Sequence, residues 1–208
     1  TSTAYACKTS KDSKTNGKSF NVMVDRFADL QVLRYNVPGF EELPLKQKLF
    51  IYHLSEAALA GRDITYDQNY KHNLRIRKTL EEIYTHYKGN RKSSAFLLFG
   101  VYAKRVWFSN GIHHHYAETK LVPDFTAENL TSFMRNSPDA QWPLMEGQDL
   151  DAFIAWLKPI LFDPKVDAKR VNKSSGIDKI TNSAGNFYEG VTEKEVTDFY
   201  NRIPNSNA

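Results

Sequence analysis

Leu45-Lys46-Gln47-Lys48-Leu49-Phe50-Ile51-Tyr52-His53-Leu54-Ser55-Glu56-Ala57-Ala58-Leu59-Ala60-Gly61 is the best-bounded helical pattern in the chain. Leu45, Leu49, Tyr52 and Leu59 fall on one stripe, and Ala57, Ala58 and Ala60 are strong helix formers. Pro44 fits the first turn, where its missing N–H costs nothing. Gly61 suits the position just past a helix, where a left-handed backbone is needed. The pattern predicts a helix over Leu45–Ala60, with His53 as a partly buried structural histidine rather than a ligand.

Similar patterns continue downstream. Ile76, Leu80, Ile83 and Tyr87 form a stripe ended by Gly89. Phe96, Phe99, Ala103 and Val106 form another, ended near Asn110-Gly111. Thr126 suits an N-cap for a short helix carrying Leu130 and Phe133. Leu150, Phe153, Ile154, Leu157 and Leu161 predict a further helix, bent or stopped by Pro159 and Pro164. Thr192-x-x-Glu195 reads as a capping box, with Val196, Phe199 and Tyr200 as the buried face behind it. Upstream, Met23, Phe27 and Leu30 recur at helical spacing, and Pro38-Gly39 marks a turn. Residues Thr1–Ser19 are polar and aperiodic and read as a disordered head. Val171–Tyr188 carries mixed signals, with room for a short strand. The fold class is mainly α, with a helical segment over residues 20–208.

The chain has 208 residues, of which 41% are hydrophobic and 13% aromatic, enough apolar material for a packed core. Its 28 basic and 24 acidic residues leave a net charge of only +4. Nucleic-acid binding needs basic residues gathered on one face. The densest run, Lys8, Lys11, Lys14 and Lys18, holds no aromatic residue for base stacking and reads as a solvated tail. No nucleic-acid partner is expected. Cys7 is the single cysteine, so neither an internal disulfide nor a cysteine-based zinc site is available. Ala4-Tyr5-Ala6-Cys7, before a Lys/Ser/Thr-rich stretch, has two readings. One is the end of a lipoprotein signal with Cys7 as the lipid anchor, although Ala4 stands where leucine is usual. The other is an ordinary thiol on a polar tail. Cell envelope and cytoplasm both stay open. No apolar run approaches the roughly 20 residues of a membrane-spanning helix. The Thr1 start and the Pro204–Ala208 end read as processing or truncation points.

Trp107-Phe108-Ser109-Asn110-Gly111-Ile112-His113-His114-His115-Tyr116 is the most conspicuous chemical feature. Adjacent side chains diverge on a helix and alternate on a strand, so three consecutive histidines converge poorly on one ion. A polar, aromatic-rich loop lining a groove is the favoured reading, beside an ordinary exposed loop and a metal site. None of His53, His72, His86, His113, His114 or His115 is followed by Glu, so the His-Glu-x-x-His zinc pattern is absent. Nucleophile-elbow, phosphate-loop and dinucleotide signatures are absent too. Glu118 follows the histidines and has two readings, an orienting partner for the loop or a plain surface ion pair.

Three blocks in order resemble the dipeptidyl-peptidase III family of zinc metallopeptidases. The first is Leu43–Ala58, with Tyr52-His53-Leu54-Ser55-Glu56-Ala57-Ala58 at its heart. The second runs from Val106 to Pro123 and closes on Thr119-Lys120-Leu121-Val122-Pro123. The third is Phe187-Tyr188-Glu189-Gly190-Val191-Thr192. The spelling Ser109–Tyr116 is similar to the bacterial, Bacteroides-like branch. The resemblance implies a two-lobed exopeptidase that removes dipeptides from the amino end of short peptides. Its upper lobe carries the zinc on a His-Glu-x-x-Gly-His helix and a later Glu, and this chain contains no such helix. The chain is then the helical amino-terminal part of the lower lobe, inactive alone, with no catalytic residue and no zinc ligand. Its partners are short peptides and the missing catalytic lobe. The implied substrate-binding residues are Asn110, Gly111, Ile112, His113, His114, His115 and Tyr116. The triple histidine departs from the animal enzymes. The rival reading is a non-catalytic helical peptide-binding or interaction module.

Overall fold

The computed structural model describes residues 20–203. The polar head and Cys7 lie outside them. The chain divides into two compact units, Thr1–His53 and Leu54–Ala208.

The first unit contains a hairpin of β1 (Met23–Phe27) and β2 (Leu30–Leu33), paired antiparallel. This corrects the helix expected over Met23, Phe27 and Leu30. Asp25, Phe27, Leu30 and Val32 are the less exposed positions, a period of two. Phe27 pairs directly with Leu30 across the two-residue turn Ala28-Asp29. Ala28 takes φ 48°, the positive value that tight hairpin turns demand. A bulge between Met23 and Asp25 shifts the register. Gly39, at φ 85°, makes the expected turn and leads into a 3-10 helix over Phe40–Glu42.

Helix α1 spans Leu45–Asn69 and crosses from the first unit into the second. It does not stop at Ala60. Gly61 lies inside it with open space where a side chain would be. A glycine costs a helix about 1 kcal/mol. That is less than what Tyr66 gains downstream by burying its ring and hydrogen-bonding the Trp107 carbonyl at 3.3 Å. The predicted stripe is not buried: Leu45 is 71% exposed, Leu49 49%, Tyr52 57% and Leu59 58%. His53 is exposed as well, not partly buried, with its ring edge-on to Tyr52.

The second unit holds the core. Helices α2 (Asn73–His86) and α3 (Ser94–Ser109) bury the two stripes read from the sequence, with Ile76, Leu80, Ile83, Phe99, Ala103 and Val106 at zero exposure. Ser93 caps α3 by accepting the Phe96 N–H. Helix α4 (Ala127–Arg135) begins with a capping box between Thr126 and Asn129. Helix α5 (Leu150–Phe162) accommodates Pro159 internally and ends before Asp163. Phe96, Phe99, Phe125 and Phe133 meet at centroid separations of 5.3–5.9 Å, the geometry that aromatic quadrupoles favour. Helix α6 (Glu193–Asn201) opens with the expected Thr192–Glu195 box. Its apolar side is not buried: Phe199 is 54% exposed. Val171–Tyr188 forms turns and bends without a strand, and its neighbour Lys169 makes a lone bridge to Thr119. Among the described residues no helix is long and apolar enough to cross a membrane.

Candidate functional site

The loop after α3 is fastened by side chains far away in sequence. Asn110 ends the helix in the left-handed conformation, φ 51° and ψ 44°, which asparagine tolerates. Gly111 follows at φ 144°, with its N–H donating to the Val106 carbonyl at 3.0 Å. A β-carbon on Gly111 would collide with the Asn73 carboxamide. Asn73, 1% exposed, occupies that space and donates through Nδ2 to the Tyr66 carbonyl at 3.0 Å. Its Oδ1 accepts the Ile112 N–H at 3.1 Å. Asn69 donates to the Asn110 carbonyl at 3.0 Å. The last turn of α1, the first turn of α2 and the loop are therefore one hydrogen-bonded body.

The three histidines take three different environments. His113 is 2% exposed, and its Nε2 lies 2.7 Å from the Asp167 carbonyl. A carbonyl only accepts, so Nε2 carries the proton and Nδ1 faces a buried space with no hydrogen-bond partner. Burial holds this imidazole below its ordinary pKa, against the hydrogen bond to Asp167. Tyr70 packs edge-on at 5.6 Å and donates its hydroxyl to the Asp167 carboxylate at 2.5 Å. Burial first, then that carboxylate, push the phenol far above its ordinary value. His114 turns back on its own loop, with Nδ1 accepting the N–H groups of Tyr116 at 3.1 Å and Ala117 at 3.0 Å. His115 stacks on His114 at 4.5 Å and meets Tyr116 at 4.3 Å and Phe108 at 5.1 Å. Among the described residues no group of three His, Cys, Asp or Glu side chains is arranged to hold a metal.

Glu118, at φ 63°, closes the loop. Arg170 donates to both its carboxylate oxygens, at 2.6 and 2.9 Å, and to Asn69 Oδ1 at 3.0 Å. This fork joins the loop to the end of α1. Both side chains are under a quarter exposed. The Arg170 hydrogen bond holds the Glu118 carboxyl below its usual range. Of its two sequence readings, Glu118 takes that of a loop-orienting residue.

The implied substrate-binding residues divide accordingly. Gly111, Ile112 and His113 are buried, Ile112 fully within the core. Asn110, His114 and His115 are half-buried, and Tyr116 is 84% exposed. Beside Asn110 lies a groove of about 380 Å³, lined also by Arg62, Tyr66, Glu81 and Trp107. The frame residues Asn69, Tyr70, Asn73, Asp167 and Arg170 carry no local motif. They lie 37 to 55 residues from their loop partners, so only the folded chain brings them together. No protein-family model matches this chain, and no curated protein matches it.

Proposed function

We propose that the chain is the amino-terminal, lower-lobe part of a zinc dipeptidyl-peptidase similar to the dipeptidyl-peptidase III family. It supplies a wall of the peptide cleft and no zinc ligand. The reading rests on the resemblance of three ordered blocks, and one observation carries it further. The loop of the second block is locked from below by Asn73, Asn69 and Arg170, while Tyr116 is displayed at the surface over the half-buried His115. A rigid base under an exposed aromatic side chain is what peptide recognition asks for: contact area at low entropic cost. In such an enzyme the zinc, held by the other lobe, lowers the pKa of a bound water. The present residues would orient the peptide.

Two measurements test this. Reading the gene beyond codon 208 is expected to reveal a His-Glu-x-x-Gly-His segment; a gene without one overturns the proposal in favour of a binding module. Incubating the purified chain with zinc and a short peptide is expected to release no dipeptide. Release abolished by a chelator would place the zinc site within these residues.

A further inference from the structure

Residues 163–170 form a strap bonded along the histidine loop, and none of them is buried. The strap is fastened by polar contacts instead. The Lys120 N–H donates to the Ala168 carbonyl at 3.0 Å and the Arg170 N–H to the Glu118 carbonyl at 2.8 Å, around the bridge between Thr119 and Lys169. The Lys120 ammonium donates to the Asp163 carbonyl at 2.8 Å. Asp167 sits at φ 49°, a left-handed backbone that costs energy for a residue with a β-carbon. Its carbonyl accepts the His113 Nε2–H and its carboxylate accepts the Tyr70 hydroxyl. A segment without buried side chains opens more easily than the packed core beneath it.

Histidine is the side chain whose ordinary pKa lies near neutrality, and His113 is the histidine in these fastenings. The neutral ring suits its place, with Nε2 donating and Nδ1 buried and bare. A second proton would sit on Nδ1, where no acceptor waits for it. The charged groups around the ring are Asp167, Lys120, Arg170 and Glu118. Lys120 and Arg170 oppose a positive imidazole, Asp167 favours one, and Glu118 spends both its oxygens on Arg170. Tyr70 packs edge-on against His113 and is itself met edge-on by His72 at 5.0 Å. Burial outweighs the attraction of Asp167, so the charged ring is better served by water than by the closed strap.

We propose that His113 is an acid-sensitive latch, whose protonation releases the strap 163–170 from the loop while the helical core stays folded. Release also relieves the backbone of Asp167. The Glu118 carboxyl is held below its usual range, so its fork with Arg170 stays charged and serves as the hinge. Opening takes up one proton once the pH is below about 6.5, the ordinary histidine value. The open population then rises by up to about tenfold per pH unit, until the closed form takes the proton as well. Neither zinc nor peptide enters the device, so it stands apart from the peptidase reading.

The test is amide hydrogen exchange of the isotope-labelled chain at pH 7.5 and pH 5.5, corrected for the pH dependence of the exchange chemistry. Protection of the Lys120 amide is expected to fall about tenfold at the lower pH, while the Phe99 and Ala103 amides of α3 keep theirs. In the same samples the fall is expected to track the titration of the His113 ring signals. His113→Gln, whose side-chain amide can still donate to the Asp167 carbonyl but does not titrate, is expected to hold its protection at pH 5.5. His72→Gln is expected to leave the fall in place. Constant Lys120 protection, an equal fall in α3, or a fall that persists in His113→Gln or vanishes in His72→Gln would each overturn the proposal. Should His113→Gln not fold, a fall out of step with the His113 ring titration of the unaltered chain would overturn it equally.

Discussion

Asn73 satisfies the Tyr66 carbonyl and the Ile112 N–H with one buried carboxamide, and Gly111 makes room for it. Asn73→Ala leaves the Ile112 N–H buried and unpaired, while the Tyr66 carbonyl keeps the Tyr70 N–H, so a loss of about 1–3 kcal/mol is expected in urea unfolding. Gly111→Ala forces a side chain into the same space at a strained φ, and a comparable loss is expected. His113 gives the site its pH dependence. Its folded pKa is lowered, and so is that of His72, in both cases chiefly by burial. The unfolded chain, titrating near about 6.5, then binds more protons just below that pH. Stability is full above about pH 6.5 and falls as the pH drops toward the depressed values. Unfolding free energies measured from pH 8 to pH 5 are expected to show this decline, and His113→Gln is expected to flatten it. Tyr116, exposed and outside the core, separates binding from folding. Under the proposed function, Tyr116→Ala in the whole protein is expected to raise KM for short peptides severalfold with zinc content unchanged; equal KM values across several peptides would remove Tyr116 from the proposed cleft. None of the frame residues was readable in advance. The triple histidine drew attention by its composition, yet its fixed geometry comes from Asp167 and Arg170, more than fifty residues downstream.

At the scale of elements, the helices with a buried stripe were legible, as were the capped start of α6 and the start of α1, while the hairpin and the end of α1 were not. Ile76, Leu80 and Ile83 recur every three or four residues and are fully buried, so period and packing agree in α2. In the hairpin, Met23, Phe27 and Leu30 matched helical spacing by coincidence. The alternation through Asp25 and Val32, with the two-residue turn at Ala28-Asp29, decided the structure. In α1 the glycine misled, because a stop at Gly61 is only a local preference and the anchor at Tyr66 lies one turn beyond it. Gly61→Ala tests this directly. In an exposed helix interior the substitution is expected to stabilise the second unit by about 0.5–1 kcal/mol. A residue required to be left-handed at a helix end would instead be destabilised by it.

For the whole molecule, the apolar side chains exposed along α1 matter most. Leu45, Leu49, Phe50, Leu54, Leu59 and Ile64 are all more than 45% exposed and spread around the helix rather than along one stripe. A helix apolar on several sides belongs inside a larger body. Under the proposed function the remaining lobe segments cover it. Alone in solution the chain is expected to self-associate with rising concentration in sedimentation measurements, and Leu49→Glu with Phe50→Glu is expected to suppress this. A strictly monomeric chain at every concentration would argue that α1 needs no cover. This property has no sequence signature, since the same leucines predict a buried stripe and an uncovered one equally well.

The junction of Asn110 and Gly111 also gives the protein a chemical clock. An asparagine followed by glycine is the pair most prone to deamidation, because the glycine nitrogen readily attacks the asparagine side chain to form a cyclic imide. Here that nitrogen is engaged with the Val106 carbonyl, and the backbone on both sides is fixed by Asn69 and Asn73. Ring closure has to wait until the loop opens. Isoaspartate at position 110 should therefore accumulate in stored protein at a rate set by that opening, and its content would record how long the molecule has spent with its loop undone.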